Sequence, residues 1–246
     1  MKVKLPLIPT AFTVLALIVL LTLGTWQVQR LAWKNNLVNE INKNSALPPI
    51  DFPYGNVDIE ALKYRRVIIS GHFLHDKEVH LFTGARVMNG DPGYNIFTPL
   101  ENKNGEVVLV DRGWVPTKKK ERESRPEALI DGEVSLVGML HSGETKGRFT
   151  PDNNISKNLW FWLDIPTIAG FTGKHIDNVY VRALDDGADS AGLPIAGKAT
   201  TEIRNDHLQY AVIWYSFAII LLIIYRIYIK NPESGPKNLI SKKQKK

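Results

Sequence analysis

The chain has no cysteine and only three methionines in 246 residues. Without thiols, an exported domain holds its fold through its core and not through disulfides. Thiolate zinc and copper sites and iron–sulfur clusters are excluded for the same reason. Three methionines give no support to a methionine-rich copper site. Catalytic signatures are missing too. There is no Gly-x-Ser-x-Gly elbow, His-Glu-x-x-His helix, P-loop or Gly-x-Gly-x-x-Gly turn. Nothing in the residues points to an enzyme.

Charge is missing from two long stretches, Leu5 to Gln29 and Leu208 to Tyr225. Crossing a bilayer as a helix takes about 20 mainly apolar residues, and both stretches suffice. Each is bounded by charge and carries Trp or Tyr near its ends, as interface-anchored helices do. The first is longer than the apolar core of a cleaved signal peptide, and no small-x-small site follows it. The expectation is a membrane protein of α+β class. Its parts are a cytoplasmic N-terminus over 1–4, a transmembrane helix over 5–29 and a periplasmic β-rich domain over 30–206. A second transmembrane helix over 207–226 and a basic cytoplasmic tail over 227–246 complete it.

Basic residues set the orientation. Lys2 and Lys4 give the N-terminal end +2, and Arg226 with six lysines against Glu233 gives the C-terminal end +6. With a whole-chain charge of +6, residues 30–225 carry −2. Positive charge stays on the cytoplasmic side, so both termini are expected inside and the middle domain outside. The sequence pI of about 9.3 therefore reports topology and contact with anionic lipid, not nucleic acid.

Leu31 to Asn44 keeps apolar residues at helical spacing, which extends the first helix out of the bilayer as far as Leu47-Pro48-Pro49. β-type alternation follows. Strands are expected over Lys63–Leu74, Glu78–Thr83, Tyr94–Leu100, Val107–Val115, Glu133–Leu140, Leu159–Leu163 and Val179–Ala183, with a hairpin turn at 101–105. Thr117–Leu129 reads as a short exposed helix, and Ile165–Phe171 as another with Pro166 in its first turn. Short strands with turn signals make a mostly antiparallel sheet or a small barrel. Asp185–Ala199, rich in Gly, Ala and Asp, reads as a flexible loop.

Several residue groups carry possible chemistry. His72, His75 and His80 lie close in sequence, but strand residues three apart face opposite ways. They are expected as solvated strand-end histidines. Gly113 beside Trp114 suggests a bulge or a close backbone approach, with Trp114 in the core by default and partner binding as its other reading. Trp160 and Trp162 fall on one face of their expected strand, also as core. At the start of the second span, Asn205 or Asp206 suits a helix cap. His207, Tyr210, Ala211, Trp214 and Ala218 share a helix face below it. Trp214 lies about 10 Å down the axis from His207, deeper than an aromatic belt requires. Trp26, Gln27 and Arg30 of the first span reach the level of His207. Two readings fit: ordinary helix–helix packing, or a haem site. In the second, His207 ligates iron, Trp stacks on the macrocycle, and Arg30 or Arg204 pairs with propionates.

These pieces together resemble the surfeit locus protein 1 family of cytochrome c oxidase assembly factors. The matching residues are Leu23-Gly24-Thr25-Trp26-Gln27 with Arg30 and Lys34, Gly71-His72-Phe73 with Glu78, and Pro92-Gly93-Tyr94 running to Thr98-Pro99-Leu100. Further along come Val110 to Pro116, Trp160 to Asp164, and His207-Leu208-Gln209-Tyr210 with Trp214-Tyr215. They occur in the family's order and span nearly the whole chain.

The resemblance implies a non-enzymatic assembly factor that binds haem a transiently and aids its insertion into terminal oxidase subunit I, with haem a synthase as donor. It implies His207 as iron ligand and Trp214 beside it; Gln27 and Arg30 match family positions, and Tyr210 lies on the same face. A cofactor-free scaffold for oxidase intermediates is the alternative, and a membrane-anchored enzyme a more distant one. Animal and fungal members carry a mitochondrial presequence. Here an apolar helix begins almost at Met1, which points to a bacterial inner membrane.

Overall fold

The structure is a computed structural model that describes residues 6–55, 58–88, 91–185, 192–197 and 205–230. Lys2, Lys4, Arg204 and the tail after Lys230, invoked above, lie outside the described residues. The chain divides into two compact units, one of Met1–Asn39 with Glu202–Lys246 and one of Glu40–Thr201.

The first unit is built from two helices. Helix α1 runs from Leu7 to Ser45 without a break, so the expected span and its polar extension form one element. At 1.5 Å per residue it is roughly 58 Å long, about twice a bilayer core. Both it and the last helix, His207–Lys230, are long and apolar enough to cross a membrane. Their apolar side chains point outward, with Leu7, Ile8, Phe12, Ile219 and Ile224 all exposed. A soluble core helix would hide these groups; here they form the surface that lipid covers.

The second unit is a sheet domain. Strand β1 (Ile50–Asp51) and a short helix α2 (Ile59–Leu62) precede β2 (Arg66–Phe73) and β3 (Val79–Met88). Then come β4 (Asp91–Glu101), β5 (Val107–Pro116), β6 (Val134–Ser142), helix α3 (Ile165–Thr172) and β7 (Ile176–Ala183), and the last helix is α4. The sheet order is β1-β2-β6-β7-β5-β4-β3, and β2 also pairs with β4. That extra pairing closes β2, β4, β5, β7 and β6 into a five-stranded barrel, with Phe73 opposite Leu100 at the seam. Two pairings, β1 with β2 and β5 with β7, are parallel, and the others are antiparallel. Taken around the barrel, first strand beside second and fourth, third beside fifth, this is the Greek-key connectivity of OB-type barrels.

Two apolar clusters hold it. Val67, Ile69, Leu100, Val108, Val110, Leu140, Val179 and Val181 form one cluster. Phe97, Leu109, Ile176 and Tyr180 pack against Trp160, Leu163, Ile165 and Ile168 in the other. Strand β5 contributes to both, which is why Val107-Val108-Leu109-Val110 reads as a continuous apolar run.

Two expected elements are different. Leu159–Leu163 is not a strand. The Asn153 side chain accepts hydrogen bonds from the Phe161 and Trp162 N–H groups, and Asn154 caps a 3-10 turn at Ile155–Lys157. Only a single bridge, Leu81 to Trp160, joins the segment to β3. Side-chain acceptors have taken the donors that a ladder would use. Trp160 is nonetheless fully buried, as expected of core.

Thr117–Leu129 is not one helix but three 3-10 turns, at 117–119, 122–124 and 126–128. Arg125 donates to the carbonyls of Lys119 and Lys120, and Lys119 Nζ to that of Ser124, so carbonyls that would accept helix bonds are used elsewhere. Asp164 caps α3, with Pro166 in its first turn. The expected Asp185–Ala199 loop is tied down where it is described. Ile195 and Trp114 exchange backbone hydrogen bonds of 2.8 and 2.9 Å, and Gly197 bonds to Ala183 and Asp185.

Candidate functional site

Helices α1 and α4 run antiparallel, as the pairs Thr10–Tyr225, Thr25–Tyr215 and Gln27–His207 show. Partly or fully buried positions recur three and four apart along both, Thr10, Thr13, Leu17, Leu20, Gly24, Gln27 and Leu31 on α1 and His207, Ala211, Trp214, Ala218, Leu221 and Tyr225 on α4. This 3.5-residue rhythm is that of a two-helix seam. Ala211, Ala218 and Gly24 are the buried positions of the two spans, small residues of the kind that line membrane-helix interfaces. A Cβ on Gly24 would lie 2.9 Å from the Tyr215 ring.

Hydrogen bonds cross the seam at several levels. Thr10 Oγ1 and Tyr225 Oη are 2.6 Å apart, and Thr10 donates its own proton to the Pro6 carbonyl, so the tyrosine is the donor across the seam. Thr25 and Tyr215 meet at 3.2 Å. Asn205 Nδ2 donates to Asn35 Oδ1 at 2.9 Å. Between these last two levels lies His207, whose Nδ1 is 2.7 Å from Gln27 Oε1. With the Gln27 carboxamide oxygen as acceptor, the imidazole donates from Nδ1, the tautomer that leaves a lone pair on Nε2. Among the described residues, none hydrogen-bonds to Nε2.

His207 is the first residue of α4, and the Asp206 carbonyl accepts the Tyr210 N–H at 3.2 Å, which makes Asp206 the cap residue. Asn205, the other expected cap, instead spends its amide on Asn35. The Trp26 ring stands edge-on to the imidazole, 6.5 Å between centroids, and its body is exposed.

The sequence-derived residues are therefore brought together in part. His207, Gln27 and Trp26 meet. Arg30 does not reach the imidazole; its guanidinium lies over Trp33, 3.9 Å from the ring centroid. Tyr210 is 51% exposed on the flank of the seam, and Trp214 sits two turns farther along, edge-on to Phe217 at 6.3 Å. Trp33 and Tyr215 were not singled out. Trp33 lies seven residues from Trp26, on the same helix face, and that spacing was the available signal.

The groups that a haem would need are of the right kinds: an imidazole whose Nε2 has no hydrogen-bond partner among the described residues, one exposed indole edge-on to it, and a guanidinium stacked on a second indole farther along α1. The other candidates fit less well. His72 is exposed and His75 bonds to the Ile130 carbonyl, while His80 is buried, contrary to the expectation of solvated histidines. His80 Nε2 bonds to Glu78, whose other partner is Arg125. A cleft lined by His75, Asp76, Glu78, His80, Arg122 and Asn158 holds about 150 Å³, below the ~300–1,000 Å³ of sites for drug-sized ligands. Among the described residues no group of three or more His, Asp or Glu is arranged for a metal ion.

The sequence profile of the SURF1 family matches residues 14–219. Surfeit locus protein 1 of Xenopus tropicalis is 36% identical over 208 residues, 79% of this chain and 67% of that protein. The Homo sapiens protein of the same name is 34% identical over 210 residues, 80% of this chain and 69% of that one. A SURF1-like protein of Drosophila melanogaster is 35% identical over 224 residues, 85% and 73% of the two chains. With a profile match along most of its length and relatives at this identity, the chain belongs to the SURF1 family.

Proposed function

We propose that this chain is a non-enzymatic assembly factor for a haem–copper terminal oxidase. In this reading it receives haem a from haem a synthase, holds it at the His207 end of the helix pair and aids its insertion into oxidase subunit I. Membership of the SURF1 family supports the role in oxidase assembly. The observation that carries the haem reading is the His207 imidazole, with one nitrogen engaged across the helix seam and the other open beside an exposed indole.

Haem a, when bound, supplies an iron that an imidazole can ligate and propionates that basic side chains can pair with. His207 would ligate through Nε2, Arg30 would pair with a propionate, and Trp26 would offer an apolar face. Single-sided ligation through a neutral imidazole suits a carrier that gives up its cargo. The bias of basic residues toward the two ends supports an orientation with both ends on the cytoplasmic side and the middle domain outside.

The test is the oxidase of a deletion strain. The expected result is a subunit I that accumulates with its haem a content reduced severalfold. Normal haem loading of a smaller amount of complex would replace this reading with that of a cofactor-free scaffold.

A further inference from the structure

We infer that Gln27 is not a ligand but the positioning residue for His207, and that its carboxamide keeps the ligation of haem weak; the inference rests on the haem reading above. A metal-bound histidine almost always donates its second ring N–H to an acceptor, which fixes the tautomer and ring orientation and raises ligand basicity. The acceptor here comes from the other helix. Gln27 Oε1 lies 2.7 Å from Nδ1 across the seam. The shared proton stays on Nδ1, so Nε2 is available to iron without rearrangement.

The neighbourhood holds both partners in place. Gly24, one turn before Gln27, receives the Tyr215 ring, and Thr25 bonds to the Tyr215 hydroxyl at 3.2 Å. On the other side of His207 the Asn205 amide bonds to Asn35 at 2.9 Å. The imidazole therefore sits between two cross-helix contacts that fix the separation of the backbones. A disturbance of the helix pair acts directly on the iron ligand.

The choice of a carboxamide is informative. A carboxylate at the same place would draw the Nδ1 proton toward itself and leave Nε2 more electron-rich. Such a ligand would stabilise ferric iron and hold it longer. A neutral amide gives orientation without that added donation, which suits a protein that must release what it binds.

The experiment uses the full-length protein in detergent, with Gln27→Leu, which removes the acceptor, and Gln27→Glu, which keeps one and adds charge. Nitrogen NMR of selectively labelled histidine reports the His207 tautomer in haem-free protein. Haem a supplied by co-production, or haem b added afterwards, reports affinity, absorption spectrum and reduction potential.

The expected wild-type tautomer carries the proton on Nδ1. Gln27→Leu should shift it toward Nε2, weaken haem binding 10–100-fold and change the spectrum. Gln27→Glu should restore the tautomer, bind at least as tightly as wild type and lower the potential. Wild-type protein with the proton on Nε2 overturns the proposal. So does wild-type affinity and spectrum in Gln27→Leu, which would leave the haem reading of His207 standing. Wild-type protein that takes up no haem overturns that reading and this proposal together.

Discussion

Arg125 places a guanidinium nitrogen 2.5 Å from Glu78 Oε1, with side-chain exposures of 0% and 3%. The same arginine donates to the carbonyls of Lys119 and Lys120. It therefore pins the chain of 3-10 turns after β5 to the segment just before β3. Removing one member of a buried pair costs up to about 3–5 kcal/mol; without Arg125, Glu78 keeps only its His80 hydrogen bond. Arg125→Met should lower the melting temperature by on the order of 10 °C. Glu78→Gln in the same background should recover part of that loss. A thermal melt of the four proteins of this cycle checks it, and additive losses would show that the pair is not coupled.

The histidine on β6 is expected to make the barrel less stable in acid. His141 stacks on Tyr180, 5.1 Å between centroids, and meets the edge of Tyr64 at 5.5 Å. Burial, with Arg182 and Lys63 nearby, pushes its imidazole down from 6.5 to about 3. The unfolded chain therefore takes up a proton near pH 6.5 that the folded chain refuses until about pH 3. Over that window the group's contribution to stability falls with falling pH, by at most ~1.4 kcal/mol per unit. Glu78 adds to the loss below the ordinary carboxylate range. Burial raises its carboxyl, but the His80 hydrogen bond and the Arg125 charge together hold it low. The measurement is denaturant unfolding between pH 7 and 4. His141→Phe should flatten the upper part of the profile, and an unchanged slope would remove His141 as its source.

Gly113 answers for the bulge expected beside Trp114. Its φ is +117°, and a Cβ there would lie 2.0 Å from the Ile195 carbonyl oxygen. Gly113→Ala must both strain the backbone and displace the strand-like bridge between Ile195 and Trp114. A destabilisation of about 2–4 kcal/mol is expected, with protection lost at the Trp114 and Ile195 amides in hydrogen exchange. Ala at this position with wild-type protection would mean that the 192–197 segment is not held by this contact.

The parts of the fold that were legible in the sequence are those with a strong repeat. Two charge-free runs gave two helices, and period-two alternation gave most of the strands to within a few residues. The strand expected at Leu159–Leu163 failed because the Asn153 side chain takes the Phe161 and Trp162 N–H groups, a side-chain effect that apolar patterning does not register. Barrel closure was not legible either. It depends on two residue pairs, His72 with Glu101 and Phe73 with Leu100, far apart in the chain. At the candidate site, the shared level of His207 and Gln27 could be read by counting residues from the ends of two antiparallel helices. Their hydrogen bond could not. Arg30 stacks on Trp33 three residues along the same helix, a contact that only the i, i+3 spacing signals. His80 was misplaced because a histidine near a strand end reads as solvated unless its partners, Glu78 and distant Arg125, are known.

The central claim is that His207 offers an iron-ligating nitrogen at the end of the helix pair, and absorbance of the purified protein tests it most directly. Full-length protein produced together with haem a synthase is expected to carry a haem a spectrum through purification. His207→Ala, with an unchanged circular dichroism spectrum, is expected to lose at least nine-tenths of that absorbance. Wild-type protein without pigment, or a variant with the full spectrum, would contradict the account.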